Sequence, residues 1–306
     1  MAEDPIALNY AVDYDGSQVY LSGTGWTNPA YRNMKITKDT PVSPAFYNWF
    51  MSNAKKIDTT TASLAAKEGI IYTTGISDLS ADTLSEISNA ISMNPNITNT
   101  TTVLYYDKGD VHRKISVADQ INIALNETNY AFDIIGFNHD DKTDGSGKAG
   151  ITFQMHDLFA TTYMMNSSNT NVGGWKSSAM RTSTMATMKG YLPAAWQTAI
   201  KPVNKVSGTG GGSSSGPETV SDSCFLLAEI EIFGSTTYSV SGEGTQYAYY
   251  KAGNSKVKNK GGSAYSWWER SPYSGNSTYF CGVASSGGAD YHGVGYSGGV
   301  AFAFCV

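Results

Sequence analysis

The sequence predicts an α+β fold with a small N-terminal α/β module. Three observations point there. Two stretches in the first hundred residues space their apolar side chains like helices and lie among short β-like runs. From about Val111, strand-like segments surround one helix-rich block. The last forty-odd residues place aromatic, strand-forming segments between runs of Gly and Ser.

In chain order, Gln18 to Leu21 reads as a short β-like run and Gly23 to Pro29 as a turn-rich segment. SPAFYNWFMSNAKK, residues 43–56, opens on a capping Ser and a Pro and carries Phe46, Trp49 and Phe50 at i, i+3, i+4, the pattern of an amphipathic helix. A second helix is expected from Ser80 to Met93, where Leu84, Ile87, Ala90 and Ile91 share one face before Asn94 and Pro95 stop it. The Thr- and Asn-rich loop 96–102, followed by strand-like VLYY, suggests a division into an N-terminal assembly or attachment module, 1–109, and a larger domain, 110–306. In the latter, Arg113 to Val117 and Tyr130 to Phe137 read as strands and 140–147 as a polar loop. Residues 156–165 and 177–201 read as helices, the second carrying Met180, Met185, Met188, Leu192 and Trp196 and interrupted at Pro193. GTGGGSSSG, 208–216, reads as an exposed loop inside the domain, and CFLLAEIEIFG as a strand that follows it.

Charge narrows the function. Asp, Glu, Lys and Arg make up 15% of the chain, against about 25% in an average soluble protein, and the net charge is -5. Nucleic acid and anionic lipid, both held largely by Lys and Arg, are therefore not expected partners. No apolar run has the length of a membrane span, and MAEDPIALNY lacks the basic and apolar regions of a signal peptide, so neither membrane insertion nor a removable leader is expected. Cys224, Cys281 and Cys305 are too few for a disulfide framework and read as buried thiols.

No cofactor or metal is expected. His112, His139, His156 and His292 form no ligand pair. The loop NHDDKTDGSG, 138–147, alternates Asp with small residues but lacks EF-hand spacing; a solvated turn is its default reading and a calcium ion the alternative. No nucleophile elbow appears, and Glu229 and Glu231, two apart in a strand-like run, read as a solvent-facing pair, so catalysis is not expected.

The positive signal lies in Ser263 to Gly298, where Ser, Gly and Tyr supply 20 of 36 residues. Such composition reads either as low-complexity disorder or as a paratope, in which Tyr gives large contact area at little entropic cost while Ser and Gly adapt. The aromatic residues that interrupt and flank it, which need burial, favour a scaffold with exposed loops. Gly282, Ala284, Ser286, Gly288 and Asp290 alternate, so one strand would present them on one face.

GKAGITFQMHDLFATTYMMN, NVGGWKSSAMR, LPAAWQTAIKPVNK, FLLAEIEIFG, GEGTQYAYY and SAYSWWERSPYSGNSTYFCGV…GVAFAFCV together resemble a C-type-lectin-fold domain common in gut bacteria and their phages, over roughly residues 110–306. The C-terminal part also resembles the variable region of proteins diversified by retroelements, about 263–298 here. The resemblance implies a framework of Trp267, Trp268, Arg270, Ser271, Pro272, Phe280, Cys281, Val283, Val300, Phe302 and Phe304. It implies ligand-facing variable positions at Tyr265, Tyr273, Thr278, Tyr279, Gly282, Ala284, Ser286, Gly288, Asp290, Tyr291, His292, Gly293 and Tyr296, with Gly275 and Gly298 at the margin. It further implies a non-enzymatic receptor-binding protein of a phage tail or a bacterial surface, with a host-cell surface protein or glycan as partner and the N-terminal module as a route to oligomers. Two variants of the fold compete. Calcium-dependent sugar binders carry E-P-N or Q-P-D followed by W-N-D, which are absent here; formylglycine-generating enzymes use paired active-site cysteines, which Cys281 and Cys305 do not resemble.

Overall fold

The computed structural model describes residues 72–306, except 109–110 and 213–215, together with the backbone of three two-residue strands nearer the N-terminus. The helix expected over 43–56 lies outside the described residues. The chain divides into two compact units, Met1–Met51 and Ser52–Val306. In the first, β1 (Val19–Tyr20) pairs antiparallel with β2 (Lys35–Ile36).

The second unit is a mixture of α and β elements. It begins with β3 (Ile57–Asp58), β4 (Thr73–Thr74) and helix α1 (Ala81–Ser92). Ser80 caps α1 by accepting the Thr83 N–H at 3.1 Å, and Leu84, Ile87 and Ile91 bury the predicted face. β5 (Val103–Lys108) and β6 (Val111–Ser116) pair over six positions, one on each side of the expected division between 109 and 110. With β3 and β4 they form a sheet ordered β3-β5-β6-β4.

β7 (Gln120–Leu125), β8 (Thr128–Phe137) and β9 (Ile151–Met155) follow. Residues 156–165, expected to be helical, run instead as an irregular chain with several bends. Their backbone is drawn to the C-terminal segments, Leu158 N–H donating to Asn259, Phe159 N–H to Val300 and Tyr163 N–H to Gly298. Next come α2 (Gly174–Ser177), a π-helical turn (Met180–Thr184) leading into α3 (Met185–Tyr191), and α4 (Ala194–Ala199), which starts directly after Pro193. Met180, Met185, Met188, Leu192 and Trp196 are buried, as their spacing predicts.

β10 (Val203–Ser207) pairs with β11 (Glu218–Asp222). The connecting Gly-rich loop is less exposed than its composition suggests, since Gly208 and Gly210 are buried. The stretch read as one strand from Cys224 stops after β12 (Cys224–Phe225) and becomes a short helix, α5 (Glu229–Phe233). α6 (Ala248–Lys251), β13 (Lys258–Lys260) and β14 (Ser263–Tyr265) lead to β15 (Trp267–Pro272), β16 (Tyr279–Val283), β17 (Ala289–Gly293) and β18 (Ala303–Cys305). β18 lies within an antiparallel sheet ordered β12-β18-β9-β8-β7, where Phe132, Phe153, Trp196, Phe302 and Phe304 pack ring against ring at 5.5–5.9 Å. Among the described residues, no helix is long and apolar enough to cross a membrane.

Candidate functional site

The Tyr-, Ser- and Gly-rich segment is ordered around a three-stranded antiparallel sheet, β15-β16-β17. All eleven framework positions are buried. Both indoles use their N–H: Trp267 donates to the Lys256 carbonyl at 3.0 Å and Trp268 to that of Tyr163 at 2.7 Å. The start of β15 is thereby tied to chain outside the segment.

The alternation from Gly282 to Asp290 does not form one strand. Ala284 to Gly288 is a turn, closed by Ala284 N–H to Gly288 O and Gly287 N–H to Ala284 O, with Gly287 at φ +87°, and Gly282 pairs directly across from Asp290. Ala284, Ser286 and Gly288 therefore line a hairpin tip, with Ser286 and Gly288 exposed, while Gly282 is buried against β15. A Cβ at Gly282 would stand 2.8 Å from the Trp267 carbonyl oxygen, and one at Gly298 would stand 2.6 Å from Trp268 Nε1. These two glycines belong to the packed scaffold rather than to an outward face.

The remaining candidates separate into two groups, because Tyr291 and His292 are neighbours on β17 and so point to opposite faces. On one face Tyr273, Tyr279 and Tyr291 converge: Tyr273 and Tyr291 stack at 4.6 Å and Tyr279 meets Tyr291 edge-on at 5.5 Å. Tyr238, from the loop after α5, completes the group at 4.9 Å from Tyr291 and 5.6 Å from Tyr273. On the other face His292 stacks on Tyr296 at 4.4 Å, and both meet Trp268 edge-on. Tyr296 shares a 2.9 Å hydroxyl contact with Ser266, and Tyr265 donates to Ser297 O. Asp290 lies 3.6 Å from His292, whose own burial lowers its pKa. Thr278 donates to Asn276 Oδ1, Gly275 is exposed, and Gly293 has open space where a side chain would stand.

The loop between β15 and β16, residues 273–278, is held from below by Asn171. This side chain is fully buried, and its amide donates to the carbonyls of Tyr279 (2.6 Å), Asn276 (2.9 Å) and Tyr273 (3.4 Å). Its Oδ1 accepts from Gly211 N–H at 2.7 Å, and its backbone N–H donates to Ser277 O. Gly210 fits only as glycine: at φ +69° its Cβ would stand 1.9 Å from the Asn171 carbonyl.

Buried acidic groups lie on and around α5. Glu229 and Glu231 are not a solvent-facing pair; both are buried on α5 because each carboxylate has partners inside. Glu229 accepts the backbone N–H groups of Thr237, Tyr238 and Ser239. Glu231 receives Ala228 N–H, Arg270 and Lys205; burial pushes its pKa up, but the two cations outweigh it and hold the group below the usual range. Lys205 also meets Asp140 at 2.7 Å, and Tyr247 donates to Asp140 at 2.8 Å. The one fully buried carboxylate of the 138–147 loop is thus occupied by protein groups, while Asp141 pairs with Lys148 and Asp144 accepts Ser146 N–H. Among the described residues, no three His, Cys, Asp or Glu side chains are grouped to hold a metal ion.

Glu269 is different. It is fully buried and neither carboxyl oxygen has a partner. Burial first, then the neighbouring Glu229 and Glu243, push its pKa well above the usual range, which keeps it a neutral acid. Cys224, Cys281 and Cys305 are free and buried, and burial pushes each thiol up, Cys224 to about 12, so none is poised as a thiolate.

Tyr238, Asn171 and Glu269 were not foreseeable site residues by composition, since two lie far outside 263–298 and the third sits among framework residues. Residues 149–306 match a family described as a domain of unknown function, DUF6273. No curated protein and no solved structure matches the chain.

Proposed function

The chain belongs to the DUF6273 family, and from that premise we propose that residues 110–306 form a C-type-lectin-like domain whose β15–β17 hairpin is a ligand-binding surface diversified by a retroelement. The domain acts by recognition rather than catalysis, as the receptor-binding part of a phage tail or a surface adhesin, with a host-cell surface protein or glycan as partner. The N-terminal region serves assembly or attachment.

The observation that carries this reading is the Asn171 clamp. It grips the 273–279 loop through backbone carbonyls alone, so the side chains at Tyr273, Thr278 and Tyr279 can be exchanged without disturbing what holds the loop. The buried frame of Trp267, Trp268, Arg270 and Phe280 supports the same division between fixed scaffold and replaceable surface. The high thiol pKa values of Cys281 and Cys305 argue against a cysteine-based enzyme.

The test is a library that randomises Tyr273, Thr278, Tyr279, Ala284, Ser286, Gly288, Tyr291, Gly293 and Tyr296 together, displayed on the intact chain. Most members should fold with unchanged melting behaviour and yield binders to unrelated proteins; general unfolding would sink the reading. At the gene, a near-identical template repeat differing at adenines beside a reverse transcriptase is expected, and differences spread over all four bases would remove the retroelement.

A further inference from the structure

The loop that Asn171 holds carries a reactive bond of its own. No Asn of the chain precedes a Gly, and among the described residues Asn166, Asn254 and Asn276 precede a Ser. A small following side chain leaves its backbone nitrogen open to attack the amide carbon before it. Asn276 has both partners of that reaction in place. Its Oδ1 accepts the Thr278 N–H at 2.8 Å and the Thr278 hydroxyl at 2.7 Å, and the N–H donor fixes which amide atom is the oxygen. These donors polarise the carbonyl and stay in position for the negative charge that collects on Oδ1 when Cγ is attacked. Asn276 and Ser277 are exposed, and among the described residues nothing accepts the Ser277 N–H.

The other two lack this pairing. Asn166 is buried, its Nδ2 donating to Thr170 O and its Oδ1 accepting the Ala179 N–H. Asn254 donates to Tyr249 O, and no donor among the described residues reaches its Oδ1. The Asp144–Gly145 turn has a similar shape, with Asp144 Oδ1 accepting the Ser146 N–H, but there the Gly145 N–H is spent on Lys142 O at 3.1 Å.

We propose that Asn276 is a site of spontaneous deamidation promoted by Thr278. The Ser277 nitrogen loses its proton to water or hydroxide and bonds to Asn276 Cγ; the Cγ–Nδ2 bond breaks and the nitrogen leaves as ammonia, taking up a proton. Water then opens the cyclic imide, at Cγ to give aspartate or at the main-chain carbonyl to give isoaspartate. Either product puts a negative charge between Tyr273 and Tyr279. Isoaspartate also reroutes the chain through Cβ and Cγ, so that the Asn276 carbonyl that now accepts from Asn171 becomes a carboxylate. The proposal stands apart from the reading of the hairpin as a binding surface.

Ageing of the intact chain at neutral and mildly alkaline pH, folded or in urea, followed by peptide mass mapping with isoaspartate detection, tests it. In the folded wild type Asn276 should convert roughly tenfold or more faster than Asn254 and Asn166, with isoaspartate among the products and a rate that rises with pH. Thr278→Val, which keeps the backbone donor and loses the hydroxyl, should slow conversion roughly threefold or more in the folded chain and leave it unchanged in urea. Thr278→Ser, which keeps the hydroxyl, should stay within about twofold of wild type. Conversion at Asn276 no faster than at Asn254, aspartate without isoaspartate, equal slowing of Thr278→Val in folded and unfolded chains, or a Thr278→Ser protein as slow as Thr278→Val would overturn the assignment. The comparison of the three asparagines within the wild type needs no variant to fold.

Discussion

Tyr291 and Cys281 face each other across the β16–β17 ladder, and the pair divides surface from scaffold: the tyrosine is 37% exposed and the thiol 1%. One is packed on other tyrosines, the other on the interior. Tyr291→Ala should therefore cost only about 1 kcal/mol, the scale of its aromatic contacts. Cys281→Leu, which adds volume to a closed site, should cost about 1–3 kcal/mol. Chemical denaturation of the two variants checks this, and equal losses would erase the division.

Glycines in the same segment are not equivalent. A methyl group added at Gly288 would have nothing nearer than Ser286 Oγ at 4.0 Å, whereas one at Gly282 would meet the Trp267 carbonyl at 2.8 Å. Gly288→Ala should change stability by less than about 0.5 kcal/mol and Gly282→Ala should lose about 1–3 kcal/mol. Thermal melts of the two proteins decide whether Gly282 is scaffold.

Asn171→Ala removes a donor from the Tyr273, Asn276 and Tyr279 carbonyls and an acceptor from the Gly211 N–H. A loss of about 1–3 kcal/mol is expected, the cost of stranding a buried group, because Tyr279 O keeps the Tyr273 N–H and the groups of exposed Asn276 and Gly211 can turn to water. Because the loop it holds carries Tyr273 and Tyr279, tyrosine-ring NMR signals of that cluster should also broaden or move. Unchanged signals would mean that the loop holds itself.

The division between framework and surface was readable because Trp267, Trp268 and Phe280 can satisfy their bulk only inside, while Tyr273, Tyr279 and Tyr291 stand among turn-forming residues. The strand period misled at 282–290, where Ser285, Ser286, Gly287 and Gly288 are themselves a turn signal that breaks the alternation. Glu229 and Glu231 misled for another reason: an i, i+2 pair looks solvent-facing on a strand, yet both are buried on a one-turn helix by partners 8 to 39 residues away. Tyr238 and Asn171 join the site through loops separated from it by 35 and 102 residues, and no local pattern encodes such contacts.

Glu269 should make the fold acid-tolerant. Its folded pKa is raised above the unfolded value, so the native state keeps a proton that the unfolded chain releases as pH climbs past the ordinary glutamate range. Its contribution thus falls with rising pH. Glu269→Gln, which keeps the shape without the titration, should be more stable than wild type at pH 7 and equal to it near pH 3. A constant difference between the two proteins across that range would mean that the carboxyl is not held neutral.

Lys258 gives the opposite sign. Its ammonium is buried, donating to the Met155 and His156 carbonyls, and burial lowers its pKa to about 8. Below pH 8 both states are protonated and the native state bears the full cost of a buried cation. Between about 8 and 10.5 the native protein has lost the proton while the unfolded chain keeps it, so stability from this group rises with pH, by about 3 kcal/mol in all. Thiols and tyrosines titrate in the same window, but they are common to wild type and Lys258→Met and cancel in the difference. The stability of wild type relative to Lys258→Met should therefore increase from pH 8 to 10, as read from urea midpoints at each pH. A flat difference would place the Lys258 pKa at its ordinary value and the ammonium in contact with water.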